Sequence, residues 1–99
     1  MLYAIQFTNR HDRDQVRVEN REAHHAYLHT VEDRVLAAGT LAEPGGEVNG
    51  ALWIVRADSR EEAEALFAGD PYWQKGLRAG YHVYEWNRLF PGDREAVIP

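Results

Sequence analysis

The spacing of apolar residues switches between a two-residue and a helical period along this chain, and the order of the switches limits the folds open to it. From Leu2 to Thr8, Tyr3, Ile5 and Phe7 alternate with Leu2, Ala4 and Gln6, which predicts a strand with apolar residues on both faces. Asn9 to Glu19 is polar and dense in charge and reads as a loop. From Asn20 to Ala38, the residues His24, Tyr27, Leu28, Val31, Val35 and Ala38 recur at helical spacing. That predicts one amphipathic helix with Asn20 as its N-cap, Glu19 and Glu22 near the positive end of the dipole, and Gly39 as a left-handed C-terminal cap. Thr40 to Ala42 reads as a short extended piece and Glu43 to Glu47 as a turn. Ala51 to Ala57 reads as a strand that completes a hairpin with a longer loop. Ser59 and Glu62 form a capping box, in which hydroxyl and carboxylate each satisfy an orphan backbone N–H. The second helix that follows buries Ala63, Leu66 and Phe67 and ends at Gly69. Asp70 to Trp73 reads as a turn or a single helical turn, and Tyr81 to Leu89 as the last strand.

The order β-α-β-β-α-β is that of a ferredoxin-like α+β domain, a four-stranded antiparallel sheet with two helices on one face. Ninety-nine residues allow one domain, 1–99, with 91–99 as a C-terminal arm. The third strand puts Leu52 and Ile54 on one face and Ala51, Trp53 and Val55 on the other. The last puts His82, Tyr84 and Trp86 opposite Tyr81 and Val83. Two helices cover only one face, so the second is expected to meet another copy, giving a homodimer through sheet faces.

Composition excludes several classes of function. There is no cysteine, which removes disulfides, thiolate nucleophiles and Cys-type metal sites and suits a cytoplasmic location. Eleven Lys and Arg against sixteen Asp and Glu leave a net charge of −5, without the basic footprint of a nucleic-acid-binding protein. No apolar run is long enough to span a bilayer, and the first residues lack the basic region of a signal peptide. No phosphate loop or nucleophile elbow is present.

His24 is the residue best placed for chemistry, early in the first helix on its apolar stripe. A neutral, oriented imidazole serves as a general base. The alternative is a buried histidine satisfied by a hydrogen bond. Asp70, before Pro71, fits either the partner that fixes the tautomer of His24 or an ordinary turn starter. Arg21 offers a fork for a ligand carboxylate or phenolate, or is a solvated helix-end charge. Tyr27, Tyr72 and Trp73 fit either a pocket lining or core. His25, His29 and Glu32 share a helix face, but the pattern lacks the Glu of a zinc-binding H-E-x-x-H motif and no further ligand is suggested. No metal and no cofactor are expected.

Two segments, Arg21-Glu-Ala-His24 and Asp70-Pro71-Tyr72, resemble the YCII-related (YciI-like) family. The start from Met1 to Ile5, Ala38-Gly39, Gly50, Ser59-x-x-Glu62-Ala63 and Gly76 fall where that family would place them, so the resemblance covers nearly the whole chain. It implies a dimeric α+β barrel and a His–Asp pair, here His24 and Asp70, in a pocket for a small molecule. A related enzyme removes chloride from a chlorinated hydroxyquinol, and other dimeric α+β barrels isomerise lactones or oxidise quinol-like rings. Two positions depart from the pattern. Ala51 stands where many relatives have a hydroxyl residue, and Glu22 where relatives often have proline. The resemblance implies proton transfer of lyase or isomerase type on a small ring or carboxylated substrate. The alternatives are a non-catalytic ligand-binding or accessory dimer, and a purely structural dimer. Taking the two helices as parallel puts the loop leaving the second at the far end from His24. A pair within one chain would then need Gly69 to Pro71 to reverse the chain, or a different path over Tyr72 to Gly80, or else a dimer partner.

Overall fold

The computed structural model describes residues 1–90. The arm expected over 91–99 lies outside the described residues. The elements run β1 (Leu2–Asn9), α1 (Asp14–Glu19), α2 (Arg21–Thr30), β2 (Val35–Ala42), β3 (Val48–Arg56), α3 (Arg60–Ala68), α4 (Pro71–Gln74) and β4 (Arg78–Glu85). The strands form one antiparallel sheet in the order β2-β3-β1-β4, the ferredoxin-like topology. Ile5 is paired with Trp53 on one side and Val83 on the other, and Phe7 with Ala51 and Tyr81. One face therefore gathers Tyr3, Ile5, Phe7, Trp53 and Val55, and Ala63, Leu66 and Phe67 of α3 close over it. Ring edges interlock there. Phe7 meets Trp53 and Phe67 in T-shaped contacts, with centroids 5.4 and 5.1 Å apart, a favoured geometry for aromatic pairs. On the opposite face Leu52 and Tyr84 remain exposed.

Several expectations need correction. The helix read over Asn20 to Ala38 stops at Thr30, and Val35 and Ala38 lie in a strand. Val31 to Arg34 forms a turn, with the Val35 N–H donating to Val31 C=O at 2.9 Å. The run Val-Leu-Ala-Ala-Gly has helical spacing, but pairing with β3 satisfies its backbone and decides its state. Gly39 is consequently mid-strand and caps nothing. Asn20 makes no side-chain cap; its amide donates back to Val16 C=O at 2.9 Å. The segment read as a loop over Asn9 to Glu19 contains α1, a short helix with no buried residue. The third strand begins earlier than expected, at Val48, and the last runs over Arg78–Glu85 rather than Tyr81 to Leu89.

The Ser59 cap is as expected, its Oγ accepting from Glu62 N–H at 3.1 Å. The return bond differs, because Glu62 accepts from Asp58 N–H instead of that of Ser59. Gly50 is required by close approach. A Cβ there would lie 2.3 Å from Phe7 C=O, so any side chain would push β3 off β1.

The largest correction concerns direction. β1 and β3 are antiparallel neighbours, so the helices that follow them, α2 and α3, run in opposite directions. The end of α3 therefore lies beside the start of α2. Asp70 reaches His24 within the same chain, with no reversal and no second subunit.

Candidate functional site

His24 is the fourth residue of α2, buried on the side facing the sheet. Asp70 is the N-cap of α4 and 2% exposed. Its Oδ1 accepts the Tyr72 N–H at 3.1 Å, the usual work of an aspartate ahead of a helix with Pro at its first position. The same carboxylate holds the ring of His24, with Nδ1 2.9 Å from Oδ1 and 3.0 Å from Oδ2. An ionised carboxylate only accepts, so Nδ1 carries the proton. In the neutral ring that leaves Nε2 as an acceptor. The capping role and the histidine contact are therefore both real for this one side chain.

Tyr72 fixes the ring from a second side. Its ring stacks on His24 with centroids 4.0 Å apart and planes inclined by 12°. Its hydroxyl donates to Arg17 C=O at 3.0 Å, tying α1 down over the site. Burial pushes the Tyr72 phenol above its ordinary range, partly offset by Arg17, which keeps the hydroxyl in its donor form.

His24 and Tyr72 line a cavity of about 280 Å³ between α2 and the β2–β3 hairpin. Trp53, Ala51, Thr40, Gly39 and Ala38 form its sheet wall, and Arg17, Arg21 and Arg78 bring three guanidiniums to it. Ala51 brings no hydroxyl, as expected from its side chain, but Thr40 is its partner across the β2–β3 ladder and lines the same cavity. Gly39, exposed and without a side chain, leaves the wall open at that point.

Of the side chains singled out in the sequence, His24, Arg21 and Tyr72 line this cavity, and Asp70 stands behind His24. Tyr27 and Trp73 do not line it. The Tyr27 hydroxyl donates to Leu66 C=O, and its ring occupies the space a Cβ of Gly69 would need. Burial raises the Tyr27 phenol above its ordinary value. Trp73 packs edge-on against Phe67 and Tyr81. His25 lines the cavity, whereas His29 pairs with Glu32 on the surface at 2.9 Å. No three His, Asp or Glu side chains among the described residues gather as a metal site.

Sequence reasoning missed Arg17, Arg78, Thr40 and Trp53. Arg17 falls in a charged stretch read as loop and Arg78 between the turn at Asp70 to Trp73 and the strand read from Tyr81, and an arginine in either place carries no signal of burial. Arg78 lies over the rings of Phe7 and Tyr72, with Cζ 4.5 and 5.4 Å from their centroids. It donates to Asn9 Oδ1 at 2.6 Å. Burial pulls its guanidinium below the usual arginine range, while the charge of Asp70 pulls it back up.

Residues 1–87 match the YCII-related domain. Among solved structures, the chain is similar to the 5-chloro-2-hydroxyhydroquinone dehydrochlorinase TftG from Burkholderia phenoliruptrix AC1100, in complex with 2,5-dihydroxybenzoquinone. The two are 27% identical with a TM-score of 0.79, and the match covers 94% of this chain and 100% of that one. No curated protein matches the sequence. No helix among the described residues is long and apolar enough to cross a membrane.

Proposed function

We propose that this chain, which belongs to the YCII-related family, is a small-molecule enzyme of lyase or isomerase type that moves a proton on a small oxygen-bearing ring. The observation that carries this reading is the buried contact of His24 Nδ1 with both Asp70 oxygens, at 2.9 and 3.0 Å, in the wall of a ring-sized cavity. Asp70 fixes the tautomer and Tyr72 the plane of the imidazole, leaving Nε2 to take a proton from the substrate. On a chlorinated hydroxyquinol of the kind the similar dehydrochlorinase acts on, His24 would take a hydroxyl proton. That proton would be delivered to the ring carbon that bears chlorine, and chloride would then leave with its electron pair as a second hydroxyl proton is taken, giving a hydroxyquinone and HCl. Arg21 and Tyr72 contact the bound ring; no step needs a cofactor.

The test is chloride release from 5-chloro-2-hydroxyhydroquinone. The expected result is turnover by the wild type and a loss of about 10²–10⁴-fold in His24→Gln. Binding without turnover, or equal rates in both proteins, would leave the cavity as a binding site only.

The same proposal includes a cytoplasmic homodimer paired through the exposed sheet face that carries Leu52 and Tyr84. Light scattering at micromolar concentration should give twice the chain mass, and Leu52→Arg should return it to the mass of one chain.

A further inference from the structure

The three guanidiniums of the cavity differ in how their charge is balanced. Arg17 is neutralised by Asp14, with contacts of 2.8 and 3.3 Å to its two oxygens. Arg21 is exposed. Arg78 is half-buried and set against two aromatic rings, and its hydrogen bond goes to the neutral amide oxygen of Asn9. Among the described residues no carboxylate lies within ion-pair distance of it. Asp70, whose charge it feels, is committed to His24 and the Tyr72 N–H. A guanidinium withdrawn from water without a counter-charge is costly to hold. Here the fold holds it by cation–π contact and one hydrogen bond, leaving other N–H donors of a planar fork unused.

We propose that Arg78 is the anion-binding residue of this cavity, and that its ligand is a small ring carrying an ionised phenol- or enol-type oxygen. This rests on the proton-transfer reading of His24 and names the substrate class for it. Both side chains pack against the ring of Tyr72 and line the same cavity, so a ring small enough for the space meets base and cation together. When His24 Nε2 takes a hydroxyl proton from the ligand, the electron pair of the broken O–H bond stays on oxygen and the negative charge is shared through the ring with a second oxygen. Arg78 receives that oxygen as its charge grows. An acidic hydroxyquinone, already an anion at neutral pH, fits the cation as product or analogue.

The experiment is calorimetric titration at pH 7 with two probes, 2,5-dihydroxybenzoquinone and its uncharged ether, 2,5-dimethoxybenzoquinone. The wild type should prefer the anion by about 10–100-fold, the range of a charge-assisted, forked hydrogen bond. Arg78→Gln should abolish that preference and leave binding of the ether unchanged. Arg34→Gln, which removes a positive charge outside the cavity, should preserve the preference. If Arg78→Gln fails to fold, Arg78→Lys decides, because it keeps the charge and loses the fork. A drop of about tenfold supports the proposal and unchanged affinity overturns it. A wild type that binds neither probe, or both alike, also overturns it. Retained anion binding in Arg78→Gln, with turnover lost in His24→Gln, removes the role of Arg78 alone. Lost anion binding in Arg78→Gln, with full turnover in His24→Gln, keeps the anion site and removes His24 as the base.

Discussion

Two histidines of α2 each meet a carboxylate at the same distance, 2.9 Å: His24 with Asp70 and His29 with Glu32. The first pair has side chains 11% and 2% exposed, the second 79% and 70%. Equal length does not mean equal consequence. The surface pair joins residues three apart in sequence, is bathed in water and screened by salt, and contributes little. The buried pair joins residues 46 apart. It has few other partners to choose from, so it fixes which nitrogen of the ring carries the proton. Burial, rather than proximity, separates a histidine–carboxylate contact that orients the ring from one that water and salt can exchange.

The widest separation between the two pairs should appear in activity. His24→Gln is expected to cost about 10²–10⁴-fold in proton transfer, and His29→Gln a change within about twofold, typical of a remote surface site. Comparable losses in the two variants, measured in the same assay, would erase the distinction. Stability comes next. Asp70→Ala removes the α4 cap and leaves a buried N–H of His24 without its acceptor, which together should lower unfolding free energy by about 2–4 kcal/mol. Glu32→Ala should stay within about 0.5 kcal/mol. Urea unfolding of both variants checks the pair of values.

A subtler difference lies in the tautomers. In ¹⁵N NMR the neutral ring of His24 should be held as the Nδ1–H form, whereas His29 should exchange between both. Asp70→Asn, which keeps the shape and supplies an amide, should give His24 a mixture as well and leave His29 as it was. A wild-type His24 already in both forms would show that the carboxylate does not orient it. The smallest effect is that of salt. Raising sodium chloride from 0.05 to about 0.5 M should shift the His29 resonances and leave those of His24 nearly still, because the exposed pair is screened and the buried pair is not.

How far the sequence can be read depends on how local the deciding interactions are. The capping of α3 by Ser59 is legible because its partner, Glu62, is three residues away. The strand character of β1 is legible because alternation and burial agree along its length. Where two local readings compete, the sequence misleads. Val35 to Gly39 has helical spacing, and only the β3 ladder makes it a strand. Where a short helix buries nothing, as in α1, there is no apolar stripe to read. Arg78 was invisible for a different reason. Its significance comes from Phe7, Tyr72 and Asn9, which are distant in sequence and say nothing about it until the sheet is assembled.

The sequence by itself determined the four strands and the two longer helices of the βαββαβ order, the absence of thiol chemistry, and a resemblance that implies His24 and Asp70 as a pair. It did so because periodicity, caps and turn residues act over a few positions, and a motif is carried by residue identity. Only the tertiary structure decided that the two members meet in one chain. Strand direction permits that outcome. β1 and β3 are antiparallel neighbours, so the helices after them run oppositely and bring the end of α3 to the start of α2. The predicted antiparallel topology already implies that direction; what only the assembled sheet and its Phe7–Trp53–Phe67 core supply is the close approach that sets the Asp70 carboxylate within hydrogen-bond distance of the His24 ring, because that distance is fixed by packing among residues far apart in sequence.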